Sequence, residues 1–288
     1  MIVPNYFDSF KCIADKCRHS CCVGWEIDID SDTEMFYSVL PGEFGGKIRQ
    51  NISNTSPPHF ILKNNKCPFL NEKGLCDIIL TCGEDAVCEI CREHPRFYNE
   101  YKNFTEAGLG LCCEEAARIV LNNKRFSLDG EYKKLNKTEL NFVKERNEIF
   151  DILQNESLNI SNRFEKLADK YGFSFLKLKD TCIIKSFLSL EILNDEWKNI
   201  LKNSEKAQPE FEKHAYMFSQ FACYLVYRHF KIEVEKTACI RFVLSSCFLI
   251  AKLLSVSGKS FENLVRMFSC EVEYSEKNIK DIIKRSGI

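Results

Sequence analysis

Eleven of the chain's sixteen cysteines fall between Cys12 and Cys113, and the first four crowd into CIADKCRHSCC, residues 12–22. No other feature limits the possible folds so strongly. So many thiols can serve as disulfide staples, as ligands of zinc, or as ligands of an iron–sulfur cluster. The start, MIVPNYFDSFKC, has no charged segment leading into an apolar run, so no secretory signal is expected. The chain is then expected in a reducing cytoplasm, where disulfides rarely persist. Metal ligation or redox chemistry becomes the default use of the thiols.

Spacing narrows the chemistry. Cys-x2-Cys or Cys-x3-Cys lets one turn aim two sulfurs at a point about 2.3 Å from a metal. Cys88-x2-Cys91 and Cys17-x3-Cys21 have such spacings. Adjacent thiols, such as Cys21-Cys22 and Cys112-Cys113, cannot readily face one ion, so one of each pair points elsewhere. A structural zinc takes four ligands and a cubane cluster takes four thiolates. Eleven thiols exceed either need, and spacing leaves zinc and iron–sulfur both open.

The rest of the chain is cysteine-poor and helical. Phe164, Leu167, Ala168 and Tyr171 repeat at helical spacing, as do Leu140, Val143, Phe150 and Leu153. The run PEFEKHAYMFSQFACYLVYRHF puts Pro209 in a first turn and Phe211, Ala215, Phe218, Ala222 and Leu225 on one face. The expected fold is mainly α: a cysteine-rich, metal-binding α+β domain over 1–125 with short hairpins, then a bundle of four to six helices over 126–288. The seam is placed in the polar run 122–139. Within the first domain, WEIDID (25–30) alternates like a strand with one buried face, and SDTE (31–34) has capping-box spacing. Turns are expected at Asn64-Asn65 and Glu72–Gly74, a short helix over 83–94 stopped by Pro95, a hairpin over 96–111, and a helix over 112–123.

The apolar stretch 238–256 is about long enough to span a bilayer, but it carries Arg241 and Lys252. Charges there are costly in lipid, so a buried helix is expected and no membrane partner. A formal net charge of −1 gives no electrostatic footprint for nucleic acid.

The ordered series Cys12-x4-Cys17-x3-Cys21-Cys22 with Gly24-Trp25, Cys67-Pro-Phe-Leu, Gly74-Leu-Cys76, Cys91-x3-Pro95-Arg96 and Cys113-x-Glu115-Ala-Ala-Arg118 resembles the flagellin lysine-N-methylase (FliB-type) family. That family falls within the cysteine-rich zinc- or iron-chelating domains. The resemblance implies an enzyme with an iron–sulfur cluster, [4Fe–4S], that moves a methyl group from S-adenosylmethionine to lysines of flagellin. It implies the ligand set Cys12, Cys17, Cys21, Cys22, Cys67, Cys76, Cys88, Cys91 and Cys113, with Cys82 and Cys112 outside the pattern. His94 replaces an aromatic Tyr before Pro-Arg, and Glu114 replaces a proline.

Polar methyl transfer needs a neutral amine aligned with a methylsulfonium in a dry pocket. No Gly-rich nucleotide loop of Rossmann type occurs, and Gly108-Leu-Gly110 runs straight into cysteines. Arg96, Glu115 and Arg118 are the candidates for catalytic contacts, and Trp25 and Arg96 for the cofactor. The bland reading is that Glu115 and Arg118 pair on their helix at i,i+3 and that Trp25 covers apolar surface. His59, His214 and His229 read as ordinary residues, and Cys182, Cys223, Cys239, Cys247 and Cys270 as small core hydrophobes. A non-catalytic metal-binding scaffold, with zinc as the simplest metal, is the rival to the enzyme.

Overall fold

The computed structural model describes residues 1–178 and 180–286, and the side chains of residues 180–182, Cys182 among them, lie outside that description. The chain forms two compact units. One is Lys11–Phe97; the other joins Met1–Phe10 to Tyr98–Ile288. The fold is mainly helical, with only short strands.

The thiol unit, Lys11–Phe97, has four short helices: α1 (Ser31–Val39), α2 (Gly42–Gln50), α3 (Asp77–Cys82) and α4 (Glu89–Glu93). The cap of α1 is Asp30, one residue earlier than the SDTE spacing suggests, and its carboxylate accepts from the Thr33 N–H. Period-two alternation over 25–30 is realised in burial: Ile27 and Ile29 are buried, Glu26 and Asp28 exposed. This stretch pairs with 58–60, through Ile29 N–H to Pro58 and Phe60 N–H to Ile27, without forming a long strand. Both expected turns are present. Asn64 and Asn65 take positive φ between paired Lys63 and Lys66, and Gly74 lies between paired Leu70 and Cys76. Asparagine tolerates the left-handed region, which accounts for the first turn. Ile27, Ile29, Tyr37, Ile48, Phe60, Phe69 and Ile78 form the unit's core.

In the helical unit, strand β1 (Val3–Pro4) pairs antiparallel with β4 (Leu128–Asp129); β2 (Arg96–Glu100), whose first two residues end the thiol unit, forms a hairpin with β3 (Thr105–Leu109). The polar run 122–139 therefore lies inside this unit, with Phe126 buried. Helices follow as α5 (Glu114–Leu121), α6 (Lys137–Leu153), α7 (Ile160–Lys170), α8 (Asp180–Leu188), α9 (Asp195–Asn203), α10 (Ala215–His229), α11 (Lys236–Ser257), α12 (Phe261–Phe268) and α13 (Glu276–Ser286). This exceeds the four to six helices expected, because short polar-faced helices such as α9 and α13 carry weaker periodic signals than the long ones. Helix α10 packs on α5, α6, α7 and α11, and α11 packs on α7, α8, α9, α12 and α13. Helix α10 starts at Ala215, not near Pro209, since a 3-10 turn over Glu212–His214 precedes it.

Helix α11 is long and apolar enough to cross a bilayer, yet 72% of its apolar window is buried within the protein. Lys252, fully buried, donates to the Glu205 carbonyl at 3.0 Å.

Candidate metal centre

Backbone pairing gathers the thiols of the Lys11–Phe97 unit. Val23 bridges Lys66, Gly24 N–H donates to Asn65, and Cys67 N–H donates to the Cys22 carbonyl at 2.8 Å. Cys22 and Cys67, 45 positions apart in sequence, thus become backbone neighbours. The Gly74 turn folds Cys76 back toward Leu70. A Cβ on Gly74 would stand 3.5 Å from the Asp15 Cα, so the loop between Cys12 and Cys17 abuts that turn.

The remaining pair sits at the start of α4. Cys88 is its N-cap, and Cys91 N–H and Arg92 N–H donate to the Cys88 carbonyl at 2.9 and 3.0 Å. Asp30 ties this end to α1: besides capping Thr33 it accepts from Glu89 N–H at 2.8 Å. These N–H groups hold its carboxyl below the usual range against the opposing effect of desolvation. Tyr37 of α1 donates to the Ala86 carbonyl at 2.7 Å and lies 3.9 Å from the Cys88 sulfur.

Cys67 and Cys88 belong to the unit's buried core, and Cys22, Cys76 and Cys82 pack against it. Cys21 and Cys91 are exposed, so the thiol neighbourhood opens to solvent. The hydrogen bond from Cys21 lowers the Cys22 thiol to about 6. Within Cys88 and Cys91 the proton stays on Cys91, whose hydrogen bond lowers Cys88 and raises itself. Burial pushes Cys67 up to about 12, and charge on Cys22, Cys76 or Cys88 raises it further. Charge on Cys88, Cys22 and Cys21 likewise bears on Cys91. Six thiols from three chain segments therefore sense one another.

All described cysteines are free of disulfides. Soft, unlinked thiols drawn together at the edge of a core suit an iron–sulfur cluster or zinc in donor chemistry. Among the described residues, no three His, Cys, Asp or Glu side chains already converge on one ligating point. Cys12 is exposed, with its sulfur accepting from Ala14 N–H at 3.4 Å. Cys113 lies in the helical unit as the N-cap of α5.

The other sequence candidates divide. Trp25 pairs with His94, ring centroids 5.9 Å apart at 78°. Burial lowers His94 to about 4, so the ring is neutral at ordinary pH. Arg96 donates to the Arg92 carbonyl at 3.3 Å. Exposed Arg118 makes two hydrogen bonds to largely buried Glu115 on α5, at 2.8 and 2.6 Å. Gly110 accepts from Cys113 N–H at 3.4 Å within the helical unit.

Sequence reading missed a second polar cluster, in the helical unit. A π-helical turn, Ser269–Glu273, follows α12 and aims Glu273 at His229 Nε2, 2.7 Å away, and at Arg228 Nε, 3.6 Å away. The Tyr224 hydroxyl donates to Glu273 at 3.0 Å and accepts from Arg228 at 2.6 Å and from Leu111 N–H at 3.4 Å. Burial opposes the Glu273 charge, but Arg228 and His229 hold it at about 2. His229 is thus no ordinary residue, and burial keeps it neutral despite Glu273. Cys223, Cys239 and Cys247 are fully buried core thiols, whereas Cys270 is half-buried, its sulfur 3.9 Å from the Cys112 carbonyl. No local sequence pattern marks these groups, since they come from helix ends far apart in the chain.

No family model matches the chain, and no solved structure does. It is 30% identical to the lysine-N-methylase of Salmonella typhimurium over 135 residues, which are 42% of this chain and 32% of that protein. It is 31% identical to the lysine-N-methylase of Salmonella choleraesuis, with the same coverage. It is 29% identical over 138 residues to the flagellar biosynthetic protein FliU of Salmonella muenchen, covering 45% of this chain and 82% of that protein. The chain thus matches about a third of the length of the two lysine-N-methylases.

Proposed function

We propose, from the premise that this chain belongs to the lysine-N-methylase (FliB-type) family, that it is an iron–sulfur-dependent protein-lysine N-methyltransferase. The methyl donor is S-adenosylmethionine and the substrate a flagellar protein, flagellin being the first choice. The observation that carries the reading is the gathering of Cys21, Cys22, Cys67, Cys76, Cys88 and Cys91 in one compact unit, free of disulfides. Cys12 and Cys17 belong to the same unit and complete its supply of ligands. Three of these thiolates would hold a cluster with one iron left open, and that iron would be the chemistry the cluster offers to S-adenosylmethionine.

The chain's own residues supply the rest. Cys67 and Cys88 are buried, and Tyr37 and Asp30 fix the segment that carries Cys88. Exposed Cys21 and Cys91 leave the neighbourhood open to a protein substrate. Methyl transfer to lysine requires the amine to lose its proton, which apolar surroundings favour by lowering its pKa. Trp25 and the neutral ring of His94 offer such surroundings. Unlinked thiols in this number suit a reducing compartment, and we take the cytoplasm as the place of action.

The test is anaerobic reconstitution with iron and sulfide, then incubation with flagellin and S-adenosylmethionine and mass spectrometry of flagellin. A gain of whole methyl increments on lysine is expected. An unmodified substrate beside an intact cluster would leave the chain a metal-binding scaffold.

A further inference from the structure

We infer that the solvent-facing side of α1, built from Asp32, Met35, Phe36 and Val39, is the docking face for the protein substrate, and that it takes a segment in which lysines flank an apolar residue. This rests on the methyltransferase reading and gives its substrate a place to bind beside the thiols. Positions 32, 35, 36 and 39 follow the i, i+3, i+4, i+7 spacing of one helix face. That face points to solvent, with Met35 68%, Phe36 40% and Val39 73% exposed. The opposite face holds buried Thr33 and Tyr37. Apolar side chains thus project outward from a helix whose inner face already packs on the core and reaches Cys88 through the Tyr37 hydroxyl. Single exposed apolar residues are ordinary on a protein surface, whereas a group of them on one face marks an interaction site.

The charge around that face says what it meets. Between Arg18 and Lys47 the chain has no lysine or arginine and six carboxylates: Glu26, Asp28, Asp30, Asp32, Glu34 and Glu43. Asp30 caps α1 and holds Glu89. Among the described residues the other five enter no ion pair. Carboxylates in a first helical turn favour the helix dipole. That accounts for Asp32 and Glu34, but not for Glu26, Asp28 or the outward Met35 and Val39. A partner both cationic and apolar complements the two features together. Lysines of a substrate are ammonium groups until one of them reacts. A second copy of this chain fits worse, because a two-fold contact sets the same patch against itself and acid against acid. The helix is about 10 Å across, so the lysines that dock on it are neighbours of the reacting one, held on the far side of α1 from Cys88.

The test uses the full chain, reconstituted anaerobically, with purified unmethylated flagellin as the probe. Calorimetry gives its Kd, and methylation kinetics give KM and kcat. The double variant Met35→Ser/Val39→Ser should raise Kd and KM about tenfold with kcat unchanged. Asp32→Lys should raise both about threefold, by an amount that shrinks at high salt. Leu193→Ser, at a leucine 87% exposed in the helical unit, should change neither. All these side chains face solvent, so each variant should keep the wild-type circular dichroism. A Kd unchanged in the double variant or in Asp32→Lys, or no binding by the wild type, overturns the docking face. A wild-type dimer that the double variant dissociates gives the face to a second copy and overturns it too. Flagellin still methylated in any of these cases leaves the methyltransferase reading standing. Flagellin bound through α1 but unmodified beside an intact cluster overturns that reading and keeps the face.

Discussion

The buried hydroxyl of Tyr37 lies 3.9 Å from the sulfur of Cys88, while the same hydroxyl donates to the Ala86 carbonyl at 2.7 Å. One phenol on α1 thus anchors the segment entering α4 and reaches the thiol at its start. With its proton committed to Ala86, the phenol oxygen can only accept from the Cys88 S–H.

Tyr37→Phe should therefore leave the buried Ala86 carbonyl without its partner and cost about 1–3 kcal/mol, read as a lower urea midpoint.

Glu106 of β3 and Arg146 of α6 form an ion pair with both side chains fully buried, and Tyr132 bonds to both. Arg146 also lies 4.6 Å from the Phe142 ring. Removing one member leaves an uncompensated buried charge. Glu106→Gln should cost roughly 3–5 kcal/mol, read as a lower Tm. Changing both residues to apolar ones of similar volume should cost much less.

The Glu273–His229 pair makes the helical unit sensitive to acid. Glu273 is held at about 2 against its ordinary 4.5, so its contribution to stability is present above about 4.5 and lost as pH falls toward about 2. His229 lies below its ordinary 6.5, so the unfolded chain takes up that proton first and stability falls as pH drops below about 6.5. Tm should fall steadily from neutral pH into acid. His229→Gln should flatten the upper part of that slope, between about 6.5 and 4.5. A profile identical to wild type would contradict the assignment.

The sequence reading succeeded where local chemistry decides the structure. The Asn64-Asn65 turn, the break before Pro95, the hairpin entering β3 and the alternation of Ile27 and Ile29 depend on residues near one another in the chain. It was less accurate where pairing across the chain decides. Asp30 caps α1 in place of Ser31, and it also holds Glu89, 59 positions away. Met1–Phe10 joins the helical unit because Ile2 pairs with Thr105 and Ala107. The thiols were legible as ligands by type and spacing, but the grouping of Cys22 with Cys67 depends on a strand bridge with no local signature. The Tyr224–Arg228–His229–Glu273 cluster was invisible for the same reason.

The most direct test of the metal centre is the iron and acid-labile sulfide content of the chain purified without oxygen, beside Cys67→Ser, Cys88→Ser and Cys91→Ser and the core variant Cys247→Ser. The account predicts iron and sulfide together in the wild type and in Cys247→Ser, and their loss in the other three. Protein that carries zinc and no sulfide, or iron that survives all three substitutions, would contradict it.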